Sequence, residues 1–247
     1  MQTRWHFSDS DSTWLTEALA FVARAEQEAV AARGEFHIVL AGGNTPRVVY
    51  EALARQAHDW PRWQVWFGDE RCLPVEHPER NSLAARALFE RIEASATGVN
   101  PPQPPFEKGG SDQVHTIPAE RGAHVAAAAY AEALAGIGDF DLVILGLGED
   151  GHTASLFPGH TPGHVPEREA DALAVFDAPK PPPERVSLSA DRLSRARHVL
   201  FLVSGVGKRD ALQRWHQGEP IPAATIQPEA GVDVLLAPDL STAGVFP

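Results

Sequence analysis

The sequence predicts an α/β protein built on a mostly parallel sheet with helices covering both faces. Two observations lead there. Short apolar runs of strand length alternate with longer segments whose apolar residues recur at helical spacing, the pattern of a parallel sheet wrapped by crossover helices. The apolar runs that end near Ala41, Phe67, Leu145 and Val203 each lead into glycine-rich or polar residues. In open parallel sheets ligands sit at the carboxyl ends of the strands, near a switch in strand order. The four loops are therefore expected to share one site.

The elements follow in order. Trp14, Leu15, Leu19, Phe21 and Val22 lie at helical spacing in an Ala- and Glu-rich stretch from about 11 to 33, and Gly34 stands where a C-terminal cap belongs. Residues 36–41 read as a buried strand running into Gly42-Gly43. Pro46 sits at a helix start, and Val48, Val49, Tyr50 and Leu53 continue that helix. Residues 63–67 form a second strand ending at Gly68-Asp69-Glu70-Arg71, and residues 81–90 a further helix. Proline and glycine between 100 and 110 predict an irregular surface loop. An Ala-rich helix is expected over 118–135, then a strand over 141–145. The prolines and glycines of 158–166 leave no room for a long helix. Strands are predicted at 185–189 and 198–203 with a short helix at 190–197 between them. A longer helix at 205–216 and a last strand at 232–236 complete the chain. No internal repeat is present.

Composition narrows the function classes. A chain of 247 residues with 43% hydrophobic and 22% charged residues has the make-up of an ordinary globular protein with a sizeable core. The formal charge of −12 argues against nucleic acid or an anionic membrane as partner. It leaves an anionic small substrate open, because a pocket can be locally positive on an acidic protein. Cys72 is the only cysteine, so no intramolecular disulfide forms. The first residues lack the basic start and apolar block of a signal peptide. No apolar run approaches the roughly 20 residues of a membrane span, and a cytoplasmic location is expected.

The most informative stretch is Gly146-Leu-Gly-Glu-Asp-Gly-His-Thr-Ala-Ser-Leu-Phe-Pro-Gly159, behind the apolar run 141–145. Its first six residues spell the G-x-G-x-x-G of a dinucleotide loop. That fingerprint needs a helix after the third glycine to face the pyrophosphate. Here a helix starting at Thr153 meets Pro158 after about one turn, and Glu149 and Asp150 would repel a pyrophosphate. No nucleotide cofactor is expected. His152 follows the third glycine, and an imidazole with an unperturbed pKa near 6.5 suits a general base. Asp150 would orient its ring or bind a sugar hydroxyl. The alternative is a solvated His152 at the start of a short helix.

Other loops carry paired readings too. Gly42, Gly43, Asn44 and Thr45 form either a backbone cradle for one phosphate at a helix N-terminus or a tight turn with its cap. Asp69 and Arg71 belong either to a phosphate-gripping loop or to a surface salt-bridge cluster. Lys208 either swings a cation over the same pocket or lies solvated on a helix. Cys72 reads as a small apolar residue rather than a nucleophile. His152, His160 and His164 fit no helical ligand pair, so no metal site is expected.

Together these motifs resemble the 6-phosphogluconolactonase family, within the glucosamine/galactosamine-6-phosphate isomerase superfamily. The resemblance rests on Leu40-Ala-Gly-Gly-Asn-Thr-Pro46, Trp66-Phe-Gly-Asp-Glu-Arg71 with Asn81 downstream, and the Asp150-Gly-His-Thr-Ala-Ser-Leu-Phe-Pro158 string. Arg185-Val-Ser-Leu-Ser189 and the stretch from Ala196 to Lys208 extend it, so that it spans about residues 5–237. It implies a single three-layer α/β/α domain over 1–247 with a Rossmann-like sheet. It also implies hydrolysis of 6-phospho-D-glucono-1,5-lactone, the second oxidative step of the pentose phosphate pathway, with no cofactor. The implied partner is a small phosphorylated sugar lactone, and the expected state a monomer or weak homodimer. His152 would be the general base with Asp150 beside it. Gly42, Gly43, Asn44, Thr45, Arg71 and Lys208 would hold the phosphate, and Asp69 and Asn81 would lie near the sugar. The family usually begins its first loop with serine and has serine where Asn44 stands, and the part from Pro222 onward matches more loosely.

Two other functions compete. Glucosamine-6-phosphate deaminase has a similar Asp-Gly-His loop but places a catalytic glutamate where Phe157 stands here. A non-catalytic sugar-phosphate-binding regulator would carry an added DNA-binding segment, and this chain shows no basic extension.

Overall fold

The computed structural model describes residues 2–97, 112–159 and 170–241. The chain opens with strand β1 (Thr3–Phe7), helix α1 (Asp11–Arg33), strand β2 (Phe36–Leu40) and helix α2 (Asn44–Leu53). Strands β3 (Trp63–Phe67) and β4 (Asp69–Arg71) follow, then helices α3 (Asn81–Ala84), α4 (Arg86–Thr97) and α5 (Ala123–Ala133). Strands β5 (Phe140–Leu145), β6 (Ala172–Val175) and β7 (Arg185–Leu188) lead to helix α6 (Ala190–Ser194) and strand β8 (Ala196–Val203). Helix α7 (Arg209–His216), strand β9 (Val232–Leu236) and helix α8 (Pro238–Ser241) end the described chain.

The main sheet runs β1-β9-β8-β5-β2-β3, and every neighbouring pair in it is parallel. Strands β2, β3, β5 and β8 are buried almost throughout, because helices cover both faces of a parallel sheet and leave no solvated side to alternate with. The chain steps outward from β2 to β3, then returns past β2 to β5 and continues the other way through β8 to β9. Right-handed crossovers in opposite directions put their helices on opposite faces. They also open a crevice between β2 and β5 at the carboxyl ends. The loops after those two strands are the double-glycine loop and the His152 loop.

Local chemistry fixes where the elements stop. Ser10 caps α1, its Oγ accepting from Thr13 N at 3.1 Å, and Gly34 ends it at φ 81° with its N–H on Val30 O. Trp14, Ala18, Val22, Ala25 and Ala29 form the buried stripe of α1. Two buried tyrosines close strand ends. Tyr50 Oη accepts from Ala41 N and donates to Ala41 O, both at 3.0 Å, just past β2. Tyr130 Oη does the same for Phe67 N and O, at 2.8 and 3.1 Å, at the end of β3. Backbone groups that have lost their sheet partners are thereby satisfied without water.

Several elements differ from the sequence expectation. The strand expected at 185–189 is present as β7, and it is the centre of a second, antiparallel sheet ordered β4-β7-β6 that was not foreseen. Gly68 joins the two sheets, since its N–H reaches Leu40 O and its carbonyl accepts from Leu188 N. A four-residue apolar run carries no information on strand direction, which tertiary pairing decides. The helix expected over 81–90 is two helices broken at Ala85. The one expected over 118–135 begins only at Ala123, because Gly122 takes φ 85°, ψ 153°. That over 205–216 starts as a 3₁₀ turn, Val206–Lys208. No helix follows Thr153; the chain makes a tight turn there, with Thr153 bridged to Leu156 and Ala154 at φ 47°. The loop expected at 100–110, the stretch from 160 to 166, His160 and His164 lie outside the described residues.

Candidate active site

At the carboxyl ends of β2, β3, β5 and β8 lies a cleft of about 460 Å³. Gly42, Gly43, Asn44, Thr45, Asp69, Arg71, Asn81, His152 and Lys208, all selected from sequence, line it. Asp150 is not on the wall; it stands behind His152, bonded to the ring.

The first wall is the loop between β2 and α2. Gly42 has no alternative, since a Cβ there would stand 1.9 Å from Asn81 Oδ1. Gly43 takes φ 102° and precedes α2 with no side-chain cap, so the first N–H groups of the helix face the cleft side uncapped. Aligned peptide dipoles give that end a positive potential suited to an anion. Thr45 Oγ1 and Ser204 Oγ, 2.7 Å apart, tie this loop to the end of β8.

The second wall comes from β4. Asp69 and Asn81 are buried and bonded to each other: Asn81 Nδ2 donates to Asp69 Oδ1 at 2.8 Å and to Asp69 O at 3.0 Å. Ser155 Oγ donates to Asp69 Oδ2 at 2.6 Å. Asp69 thus fastens the His152 loop to α3 while presenting an edge to the cleft. Glu70 accepts from Asn81 N, Ser82 N and Arg71 N and pairs with Arg80 at 3.1 Å. That carboxylate caps α3, a structural task that the charge run did not reveal. Arg71 donates from Nη1 to Glu79 O at 3.0 Å, and its buried Nε has no hydrogen-bond partner among the described residues. A buried donor left open is costly without an acceptor, and an anion in the cleft is a natural one. Beside it, burial and then Glu184 push the Cys72 thiol up to about 11, which removes it as a nucleophile.

The third wall is the His152 loop. Gly148 N donates to His152 O at 2.7 Å, and Gly151 N to Gly148 O at 3.1 Å, curling the chain back on itself. A Cβ on Gly148 would lie 1.9 Å from His152 Nδ1, so the imidazole rests directly on the glycine backbone. The spacing that mimicked a nucleotide fingerprint serves to seat a histidine. His152 Nδ1 and Asp150 Oδ1 are 2.5 Å apart. Burial raises the Asp150 carboxyl, but the bonds from His152 outweigh it and hold the pKa below its usual value. An ionised carboxylate only accepts, so Nδ1 carries the proton and Nε2 keeps its lone pair. Burial lowers the His152 pKa below 6.5 against the pull of Asp150, with Lys180 lowering it further and Asp69 opposing. The ring is therefore neutral and oriented near pH 7. Phe157 packs its ring 4.7 Å from the imidazole, centroid to centroid.

On the fourth side, burial lowers the Lys208 ammonium, partly offset by Glu149. Two cleft-lining cations were missed from sequence as site residues, Lys180 and Arg185. Their signal was the charge pair around the Pro181-Pro-Pro183 run, which reads as a loop until β7 is placed. Among the described residues no group of three or more His, Cys, Asp or Glu side chains is placed to hold a metal ion. No helix among them is long and apolar enough to cross a membrane. The cleft therefore offers cations and a helix N-terminus for an anion, beside an oriented imidazole.

Comparison with known proteins bears on which chemistry this is. A 6-phosphogluconolactonase from Synechocystis sp. is 37% identical over 228 residues, covering 90% of each chain. One from Streptomyces coelicolor is 39% identical over 190 residues, covering 75% of this chain and 72% of that one. The crystal structure of 6-phosphogluconolactonase from Thermotoga maritima superimposes with a TM-score of 0.78 at 25% identity, covering 96% of this chain and 100% of that chain. The family model for glucosamine-6-phosphate isomerases/6-phosphogluconolactonase matches residues 9–235, nearly the whole chain, and the chain belongs to that family.

Proposed function

We propose that this protein hydrolyses 6-phospho-D-glucono-1,5-lactone to 6-phosphogluconate, with His152 as the general base. The observation that carries the reading is the neutral His152 ring, oriented by ionised Asp150 in a cleft also lined by Arg71 and Lys208. The phosphate lies against Gly42, Gly43, Asn44 and Thr45 at the N-terminus of α2, with Arg71 and Lys208 as its charge partners. Asp69 and Asn81 border the sugar.

In this reading, Nε2 of His152 takes a proton from water as the water oxygen bonds to C1 of the lactone, and the carbonyl electrons move onto its oxygen. Asp150 accepts the Nδ1 hydrogen bond and stabilises the imidazolium that results. The tetrahedral intermediate collapses by breaking the C1–O5 bond, and the imidazolium returns its proton to O5. The base is then neutral again and the product carries a carboxylic acid that ionises. Nothing in this sequence needs an acid at position 157. Phe157 is buried against His152 and has no proton to relay, which separates this site from an amino-sugar deaminase.

The test is a side-by-side assay. The protein should accelerate loss of 6-phosphogluconolactone beyond its spontaneous hydrolysis and release no ammonia from glucosamine 6-phosphate. Ammonia release without lactone turnover overturns the reading.

A further inference from the structure

We propose that Asp239, on α8, is a positioning residue for phosphate binding: it brackets the turn that carries Lys208 and so fixes where that ammonium stands in the cleft. The proposal rests on the lactonase reading above, which gives the phosphate to Lys208.

The turn has little of its own to define its path. Past β8 the chain runs Ser204-Gly-Val-Gly-Lys208, and a single 3₁₀ turn, Val206–Lys208, lies between the strand and α7. Gly205 takes φ 99°, ψ 122°, a backbone state that favours glycine, the residue with the most freedom to lose. Val206 is exposed, so apolar burial does little to fix the turn. Inside it, Lys208 N donates to Gly205 O at 2.9 Å. Whatever orients Gly205 therefore orients the lysine three residues on.

One residue ties the turn on both sides of Lys208. Gly205 N donates to Asp239 Oδ2 at 2.8 Å. Arg209, the residue after the lysine, donates from Nη2 to Asp239 O at 3.1 Å. Asp239 is itself placed by the sheet. Ala237 N donates to Val203 O at 2.9 Å, carrying the β8–β9 pairing one step past Leu236, and Leu240 is buried in the core. From the opposite wall, Thr45 Oγ1 meets Ser204 Oγ at 2.7 Å. The phosphate cradle thus has a front tie to α2 and a back tie to α8. Lys208 and Ser204 line the cleft and Asp239 does not, so Asp239 acts through the lysine rather than on the substrate. The sign of its effect separates that role from a plain charge effect. A carboxylate near an anion site repels the anion, so its removal would tighten phosphate binding if charge alone mattered. Loss of a tie weakens it.

The test measures lactone kinetics and, by calorimetry, the binding of inorganic phosphate in Asp239→Ala, Asp239→Asn and the wild type. Asp239 is exposed, so neither variant opens a cavity. In Asp239→Ala, KM for 6-phosphogluconolactone and Kd for phosphate should both rise about tenfold, the range for losing one hydrogen bond to a charged group. A grip on the phosphate is used equally in ground and transition states, so kcat should change little. Asp239→Asn keeps an acceptor oxygen for Gly205 N and should restore most of the affinity. In a Lys208→Ala background, Asp239→Ala should add no further loss, because the group it positions is gone. Tighter phosphate binding in Asp239→Ala, an equal loss in Asp239→Asn, or multiplying losses in the double variant each overturn the proposal. A wild type that binds no phosphate overturns it as well. A wild type that binds phosphate without turning over the lactone overturns the function above, while the phosphate affinities of the variants still decide the role of Asp239.

Discussion

At the scale of single residues, the cleft depends on one proton being in the right place. In the proposed role of base, His152 needs Nε2 free and Nδ1–H held, and Asp150 at 2.5 Å from Nδ1 favours that arrangement. His152→Ala should therefore lower kcat by roughly 10²-fold or more, the usual range for losing general-base catalysis. The pH dependence follows from the direction of the shift. Burial depresses the His152 pKa below 6.5, so the basic form persists into mildly acidic solution and is lost only as pH falls through that lower value. The acid limb of kcat/KM should have its midpoint below 6.5. Asp150→Asn removes the strongest group opposing that depression, so it should shift the limb further down while lowering kcat through loss of the fixed tautomer. A limb that stays in place in Asp150→Asn would show that another group titrates.

At the scale of elements, glycines position this chemistry by making room. Gly148 carries the imidazole on its Cα side, and a Cβ there would stand 1.9 Å from His152 Nδ1 and 2.6 Å from Asp150 Oδ1. The Gly148 backbone is not in the left-handed region, so alanine fits the chain but not the pair. Gly148→Ala should leave the melting temperature close to wild type and lower kcat by about 10²-fold, the cost of displacing a catalytic group by about 1 Å. A variant with full activity would mean that the ring tolerates the shift. The strand-to-loop junctions were legible in the sequence because they are local: an apolar run, then glycine or charge, marks where a covered strand leaves the core. The second sheet was not legible. β4 and β6 are short, Asp69–Arg71 and Ala172–Val175, and only their pairing with β7 makes them strands. Glu70 and Asn81 illustrate the same limit. A charge run and an asparagine gave no sign that one carboxylate would cap α3 or that one amide would fasten Asp69. Such roles depend on contacts between residues 11 or 12 apart. Lys180, which lines the cleft, was hidden because it opens a proline run that reads as a plain loop.

At the scale of the whole molecule, the six-stranded sheet is completed by joining the two ends of the described chain. β1 pairs with β9 in parallel, Thr3 opposite Val232 and Phe7 opposite Leu236. This edge was missed from sequence because β1 is half-exposed and shows no continuous apolar run. Its anchor is polar. Asp233 is buried on β9, and Arg4 clamps it with two bonds, Nε to Oδ1 at 2.8 Å and Nη2 to Oδ2 at 2.7 Å, while His6 Nε2 lies 2.7 Å from Oδ1. A bidentate guanidinium fixes register as well as adding attraction. The contact spans 229 residues of sequence, so its formation carries a large loop-closure cost and depends on the rest of the sheet being assembled. Burial works against the charged form of Asp233, yet the bonds from Arg4 and His6 prevail and depress its pKa below 3.8. A depressed carboxyl contributes stability above its unfolded pKa and loses it as pH falls through the folded value. Asp233→Asn should therefore melt at a lower temperature than wild type near pH 7, and the gap should narrow as pH falls below about 4, where the wild-type carboxylate itself becomes protonated. Thermal melts of both proteins across that range decide the matter: a gap independent of pH would mean that Asp233 holds the sheet edge through packing rather than through its charge.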